Sequence, residues 1–212
     1  MSSREAILAR VREALGPDPT IPAVERAYRA AGEPGAVADP AATFAERTAE
    51  YRAVVHRCAE AELEGLLEEL LTGLTTVAAP TFVARLSGTL RADEPPLSAA
   101  DLDACDAVLT GCALAIAETG TIVLDGGPAC GRRAISLVPD RHVCVVESDQ
   151  VLAGVPEGIA ALAPTAAAGM PLTFISGPSA TSDIELERVE GVHGPRRLEV
   201  VLVERSGPGG LE

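Results

Sequence analysis

Apolar residues recur along this chain in two rhythms, helical before about residue 73 and strand-like after it. Ile7, Leu8, Val11 and Leu15 share one face of a first helix. Ser2-Ser3-Arg4-Glu5 opens it with a serine and a glutamate able to satisfy free N–H groups, and Gly16-Pro17 closes it. Phe44, Tyr51, Val54 and Val55, then Leu63, Leu66, Leu67, Leu70 and Leu71, keep helical spacing. They predict one long or two consecutive amphipathic helices between Pro40 and Gly73. From Thr75 onward the pattern becomes short apolar runs divided by turns. Residues 75–79, 107–109 and 114–117 read as strands, with Ser98-Ala99-Ala100-Asp101 capping a short helix between the first two. Ala115-Ile116-Ala117 passes through Glu118-Thr119-Gly120 into Thr121-Ile122-Val123-Leu124, a hairpin. Residues 134–138 and 141–146 suggest a second strand-turn-strand, 149–162 a helix, 172–175 a buried strand, and 198–203 the last strand. Alternation of this kind predicts an α/β fold: a mixed, mostly parallel sheet flanked by helices, with an N-terminal helical extension.

Residues 17–40 are rich in Pro, Gly and Ala without a sustained period, which predicts an arm laid over the surface. The expected organisation is therefore an N-terminal helix and arm over 1–40, an α/β domain over 41–205, and a disordered tail over 206–212. A chain of 212 residues suits one such domain. The formal charge of −14 argues against a nucleic-acid backbone or an anionic membrane as partner, since both reward clustered cations. No apolar run approaches the roughly 20 residues that span a bilayer. The first residues lack the apolar centre of a signal peptide, so a cytoplasmic protein is expected. Cys58, Cys105, Cys112, Cys130 and Cys144 include no C-x-x-C pair, so neither a zinc knuckle nor an iron–sulfur cluster is encoded here.

Three stretches could carry chemistry. Glu118 follows an apolar run and precedes Thr119-Gly120, a place where desolvation would raise a carboxylate's pKa and make it a base or nucleophile. Its plainer reading is a hairpin-turn glutamate. Asp125-Gly126-Gly127-Pro128 and Gly131-Arg132-Arg133 form a glycine-rich loop with paired arginines, suited to a carboxylate or phosphate, or simply a solvated surface. Ser176, Gly177, Ser179, Thr181, Ser182 and Asp183 belong to a hydroxyl-lined bend, and Ser182-Asp183-Ile184-Glu185 fits a helix cap. Free N–H groups there would favour a small anion, whereas Asp183 and Glu185 oppose one. His193 is the histidine best placed to face a ligand. His56, His142 and His193 show no metal-ligand spacing, so no metal site is assigned. No G-x-S-x-G or G-x-G-x-x-G motif supports a hydrolase or a nicotinamide enzyme.

Thr110 to Leu124, Leu137-Val138-Pro139-Asp140, Ile175 to Glu185 and Val189-Glu190-Gly191-Val192-His193-Gly194-Pro195 together resemble the LUD-domain family, in its lactate utilization protein C group. The likeness covers about the last half of the chain. It implies a sheet of the NagB/RpiA/CoA-transferase-like type. It also implies a role in oxidising L-lactate to pyruvate with two partner proteins, at least one holding iron–sulfur clusters, and no cofactor in this chain. The protein would then be a subunit of a lactate-oxidising complex rather than an enzyme alone. Class I CoA transferases carry a nucleophilic glutamate in a Glu-Asn-Gly turn, and Glu118-Thr119-Gly120 with Gly127-Pro128 is similar, with threonine in place of asparagine. A stand-alone enzyme acting on an acyl-CoA or sugar phosphate through Glu118, or a scaffold for the cluster proteins, are the rival readings. The first reading expects the Glu118 turn, Arg132-Arg133 and the serine bend to surround one hollow.

Overall fold

The computed structural model describes residues 2–17, 19, 23–32, 37–86, 90–181, 189–191 and 193–205. The helix expected from Asp183 and the tail over 206–212 lie outside the described residues. Two helices, α1 (Ser3–Leu15) and α2 (Pro40–Glu50), precede the first strand, β1 (Val54–Ala59). Then α3 (Leu63–Leu71), β2 (Thr76–Ala78), α4 (Pro80–Arg85), β3 (Leu90–Ala92), α5 (Ala99–Asp103) and β4 (Ala107–Thr110) alternate. The hairpin strands β5 (Leu114–Ile116) and β6 (Thr121–Leu124) are followed by β7 (Arg141–Glu147), β8 (Val151–Leu152), α6 (Val155–Ala167) and β9 (Thr173–Ile175). A short ribbon of β10 (Ala180–Thr181) and β11 (Val189–Glu190) leads into β12 (Arg197–Glu204).

Six strands form one sheet in the order β1-β12-β7-β4-β2-β3, and every pairing in it is parallel. Parallel strands need cover on both faces. Along β7 the alternation is plain: Val143 and Val145 join one core with Leu67, Phe82, Leu102 and Val201, under α3, α4 and α5. Cys144 and Val146 join the other core with Phe44, Ile122, Leu124, Val200 and Leu202. That second face is covered by α2 and a four-stranded sheet in the order β8-β5-β6-β9, in which β5 and β6 are antiparallel, as are β6 and β9.

Several local expectations need correction. Val54 and Val55 belong to a strand and continue no helix. Arg52 takes φ 70, which ends the helical run, and β1 is an edge strand with Cys58 its one buried residue, so little strand alternation is visible in its sequence. β3 has no apolar signature. Residues 134–138 are turns and not a strand: Ile135 N–H donates to the Arg132 carbonyl and Val138 N–H to that of Ala134, although Ile135 and Ser136 are buried. A buried apolar run alone does not separate strand from coil. The helix expected from Asp149 begins only at Val155, after the single turn Ser148–Gln150 and β8. β9 is present but is an edge strand rather than a buried one, with Phe174 48% exposed. α1 has its expected cap, Ser2 Oγ accepting from the Glu5 N–H, yet buries none of its side chains.

Gly120 closes the β5–β6 turn in the left-handed region, φ 59, and a Cβ there would lie 2.7 Å from the Thr48 nitrogen on α2. The glycine therefore lets α2 lie against the hairpin. Gly120→Ala should lower unfolding stability by roughly 2–4 kcal/mol, from the left-handed backbone together with overpacking. Chemical denaturation measures this, and an unshifted midpoint would mean that α2 does not depend on this close approach.

Candidate functional site

The hairpin that carries Glu118 is fixed by the pairs Leu114↔Val123 and Ile116↔Thr121, with the single turn Ala117–Thr119 between its strands. Glu118 Oε2 accepts from Arg29 at 2.6 Å and from the Val155 N–H at 3.2 Å. Arg29, reaching over from the N-terminal arm, and then the Val155 N–H hold this carboxyl below its ordinary range. The rise expected from desolvation does not occur, because the side chain is 37% exposed and paired. Glu118 joins the hairpin to the first turn of α6 and to the arm, which also anchors itself through the Gly32 N–H on Glu157. Thr119 is linked onward: its Oγ1 lies 2.7 Å from Thr121 Oγ1, which lies 2.7 Å from Ser176 Oγ.

Arg132 and Arg133 are adjacent in sequence and separate in space. Arg132 pairs with Asp93, its Nη2 donating to Oδ1 at 2.8 Å and to the Leu97 carbonyl at 2.6 Å. Burial acts to raise the Asp93 carboxyl, but Arg132 and the Leu97 N–H outweigh it and hold the acid ionised. This pair borders a crevice of about 630 Å³ at the C-terminal ends of β2 and β3, walled by Pro80, Val83, Ala84, Pro128 and the Gly126-Gly127 turn. Gly127 N–H donates to Asp125 Oδ1, which sets that turn. The crevice is apolar apart from acids and an arginine on its rim.

Arg133 lines a second, smaller hollow of about 280 Å³, between β9, the turn ending at Ser136 and the first residues of β7 and β12. Its Nη1 donates to Ser136 Oγ at 3.2 Å, and partial burial pulls the guanidinium below the ordinary arginine range. Ser176, Gly177, Ser179 and His193 line the same hollow. Ser179 holds the bend together, its N–H donating to the Pro195 carbonyl and its Oγ accepting from the His193 N–H. Thr181 enters the ribbon strand β10, and Ser182 and Asp183 lie outside the described residues. The single hollow expected to unite all three stretches is therefore divided. Arg133 and the serine bend share one hollow, Gly127 and Arg132 border another, and Glu118, Thr119 and Gly120 stay at the hairpin.

Ser136 and His142 are among the residues of the smaller hollow that the sequence did not mark as ligand-facing. His142 is 1% exposed, and Thr110 Oγ1 lies 2.7 Å from its Nε2. Burial, with the nearby Arg133 charge, pulls its pKa down to about 4. A histidine set in the otherwise apolar run Val143-Cys144-Val145-Val146 was the available signal. Among the described residues no three or more His, Cys, Asp or Glu side chains are grouped to hold a metal ion. All five cysteines are buried free thiols, and burial raises those of Cys112, Cys130 and Cys144.

The LUD domain model matches residues 82–203, more than half of the chain and nearly all of the region that builds both hollows. The chain belongs to the LUD-domain family. It is 51% identical over 164 residues to lactate utilization protein C of Deinococcus radiodurans, covering 76% of this chain and 77% of that protein. Similarity to lactate utilization protein C of Halalkalibacterium halodurans is narrower, 38% over 93 residues, or 42% of this chain and 40% of that one. A crystal structure of a duf162 family protein from Deinococcus radiodurans superposes with a TM-score of 0.68 at 43% identity, covering 78% of this chain and 97% of that one. The matched LUD segment begins in α4, so β1 and β2 of the large sheet come from residues before it. None of the described helices is long and apolar enough to cross a membrane.

In this LUD-domain protein the buried imidazole has a consequence for stability. Its folded pKa, about 4, lies below the ordinary 6.5, so the ring is neutral in both states above that value and costs nothing there. As pH falls from 6.5 toward 4 the unfolded chain takes up a proton that the folded chain refuses, and stability drops, by about 3 kcal/mol in full. His142→Gln should flatten the wild-type loss between pH 7 and pH 4.5 in denaturant melts, and parallel pH profiles for the two proteins would contradict this account.

Proposed function

We propose that this protein serves in lactate utilization as a subunit that works with two partner proteins, at least one of which holds iron–sulfur clusters. The observation that carries this reading is the kinship with the Deinococcus radiodurans lactate utilization protein C, which extends over about three quarters of both chains. The cysteines support the division of labour. No two of them are spaced as C-x-x-C, and all five are buried free thiols.

The rival reading, a stand-alone acyl-CoA or sugar-phosphate enzyme acting through Glu118, is served less well by the geometry. One oxygen of that carboxylate is engaged by a guanidinium and a backbone N–H, both of which weaken it as a nucleophile or base. The scaffold reading has the exposed apolar face of α1 in its favour, since Ile7, Val11 and Leu15 are each at least 49% exposed.

Deleting the gene should abolish growth on L-lactate while leaving growth on pyruvate intact, and unimpaired growth on L-lactate would overturn the role. The tagged full chain should co-purify with two proteins and with the visible absorption of iron–sulfur clusters. Intact-mass measurement after incubation with acyl-CoA should show no glutamyl adduct, and an adduct lost in Glu118→Gln would favour the rival enzyme.

A further inference from the structure

The two adjacent arginines differ in one respect that bears on ligands. Arg132 is neutralised by Asp93, whereas Arg133 has no carboxylate partner among the described residues, in a chain with 31 acids. Among the described residues, no acidic side chain lines the hollow beside Arg133. An arginine with no carboxylate partner among the described residues, in a concave site whose described lining holds no acid, is placed for an anion. The remaining wall narrows the choice. Ser136, Ser176 and Ser179 supply hydroxyls, while Ile175, Pro178 and Leu198 supply apolar surface. A volume of about 280 Å³ lies at the small end for ligand cavities.

We propose that this hollow binds a small monocarboxylate with an oxygen on the adjacent carbon, a 2-hydroxy or 2-oxo acid. The Arg133 guanidinium takes the carboxylate and the Ser176 and Ser179 hydroxyls meet the second oxygen. The choice of acid class rests on the lactate-utilization reading; the choice of an anion rests on the hollow alone. One guanidinium fork matches a planar monoanion in both charge and shape, and a phosphate dianion would leave a charge uncompensated. The buried His142 adds a neutral donor and acceptor at the floor, held by Thr110. The hydroxyl chain from Ser176 through Thr121 to Thr119 fixes the bend that presents the serines. The apolar crevice beside Arg132 is a different kind of site, because its cation is already paired.

Titration calorimetry on the full chain, with L-lactate, pyruvate, propionate and inorganic phosphate as probes, tests this. L-Lactate or pyruvate should bind saturably, propionate more weakly. Arg133→Gln should weaken binding at least about tenfold, as expected for loss of a charge-assisted pair. Arg133→Lys, which keeps the charge without the fork, should weaken it less, and Arg85→Gln, at a surface pair remote from the hollow, should leave it unchanged. Ser176→Ala should weaken L-lactate more than propionate. Absence of saturable binding by either acid, equal affinity in Arg133→Gln, or a preference for phosphate would overturn the site. Propionate binding as tightly as L-lactate would overturn the role given to the serines. Loss of growth on L-lactate without binding here would sink the site and spare the role, whereas binding with normal growth in the deletion strain would do the reverse.

Discussion

A parallel sheet with apolar residues on both faces must be covered twice, and the manner of the second covering shapes this protein. Helices α3, α4 and α5 bury one face. The other face is closed by α2 and by a second sheet built on the β5–β6 hairpin. Since β9 pairs with β6 at the edge of that second sheet, the serine bend is carried to the starts of β7 and β12. The small hollow follows from that placement. Open α/β sheets more often bind ligands at the carboxyl ends of their strands. Here that location holds the apolar crevice beside Arg132, which differs in character from the polar hollow beside Arg133.

The same covering gives Glu118 its surroundings. The hairpin turn must accommodate α2, which Gly120 allows, and α6 starts close by, its first N–H, that of Val155, directed at Glu118. A carboxylate at the turn meets that N–H and the positive end of the helix, and Arg29 completes its pairing. A residue whose sequence setting suggested a base or nucleophile is thereby engaged in joining hairpin, helix and arm.

Much of the sheet was legible because its central strands are buried on both sides. Thr76-Val77-Ala78, Ala107-Val108-Leu109 and Val143-Cys144-Val145-Val146 are nearly unbroken apolar runs, as such strands require. Edge strands gave weaker signals. β1 reads Val-Val-His-Arg-Cys-Ala and was absorbed into a helical pattern, and β3 reads Leu-Arg-Ala. Residues 134–138 erred in the other direction, since Ile135 is buried while its backbone coils. In the candidate site, Arg133 and the serines were visible from the sequence, whereas Ser136 and His142 looked like ordinary strand residues.

By itself the sequence determined the α/β alternation, the hairpin at Glu118, the capped first helix and membership of the LUD-domain family, because periodicity, turn chemistry and extended motifs are local properties of a chain. Only the tertiary structure decided that Arg132 meets Asp93, 39 residues before it, while Arg133 faces Ser136 and the bend of Ser176 and Ser179. Two neighbouring side chains can leave the backbone in different directions, and which counter-charge each finds depends on segments distant in sequence that packing alone brings alongside.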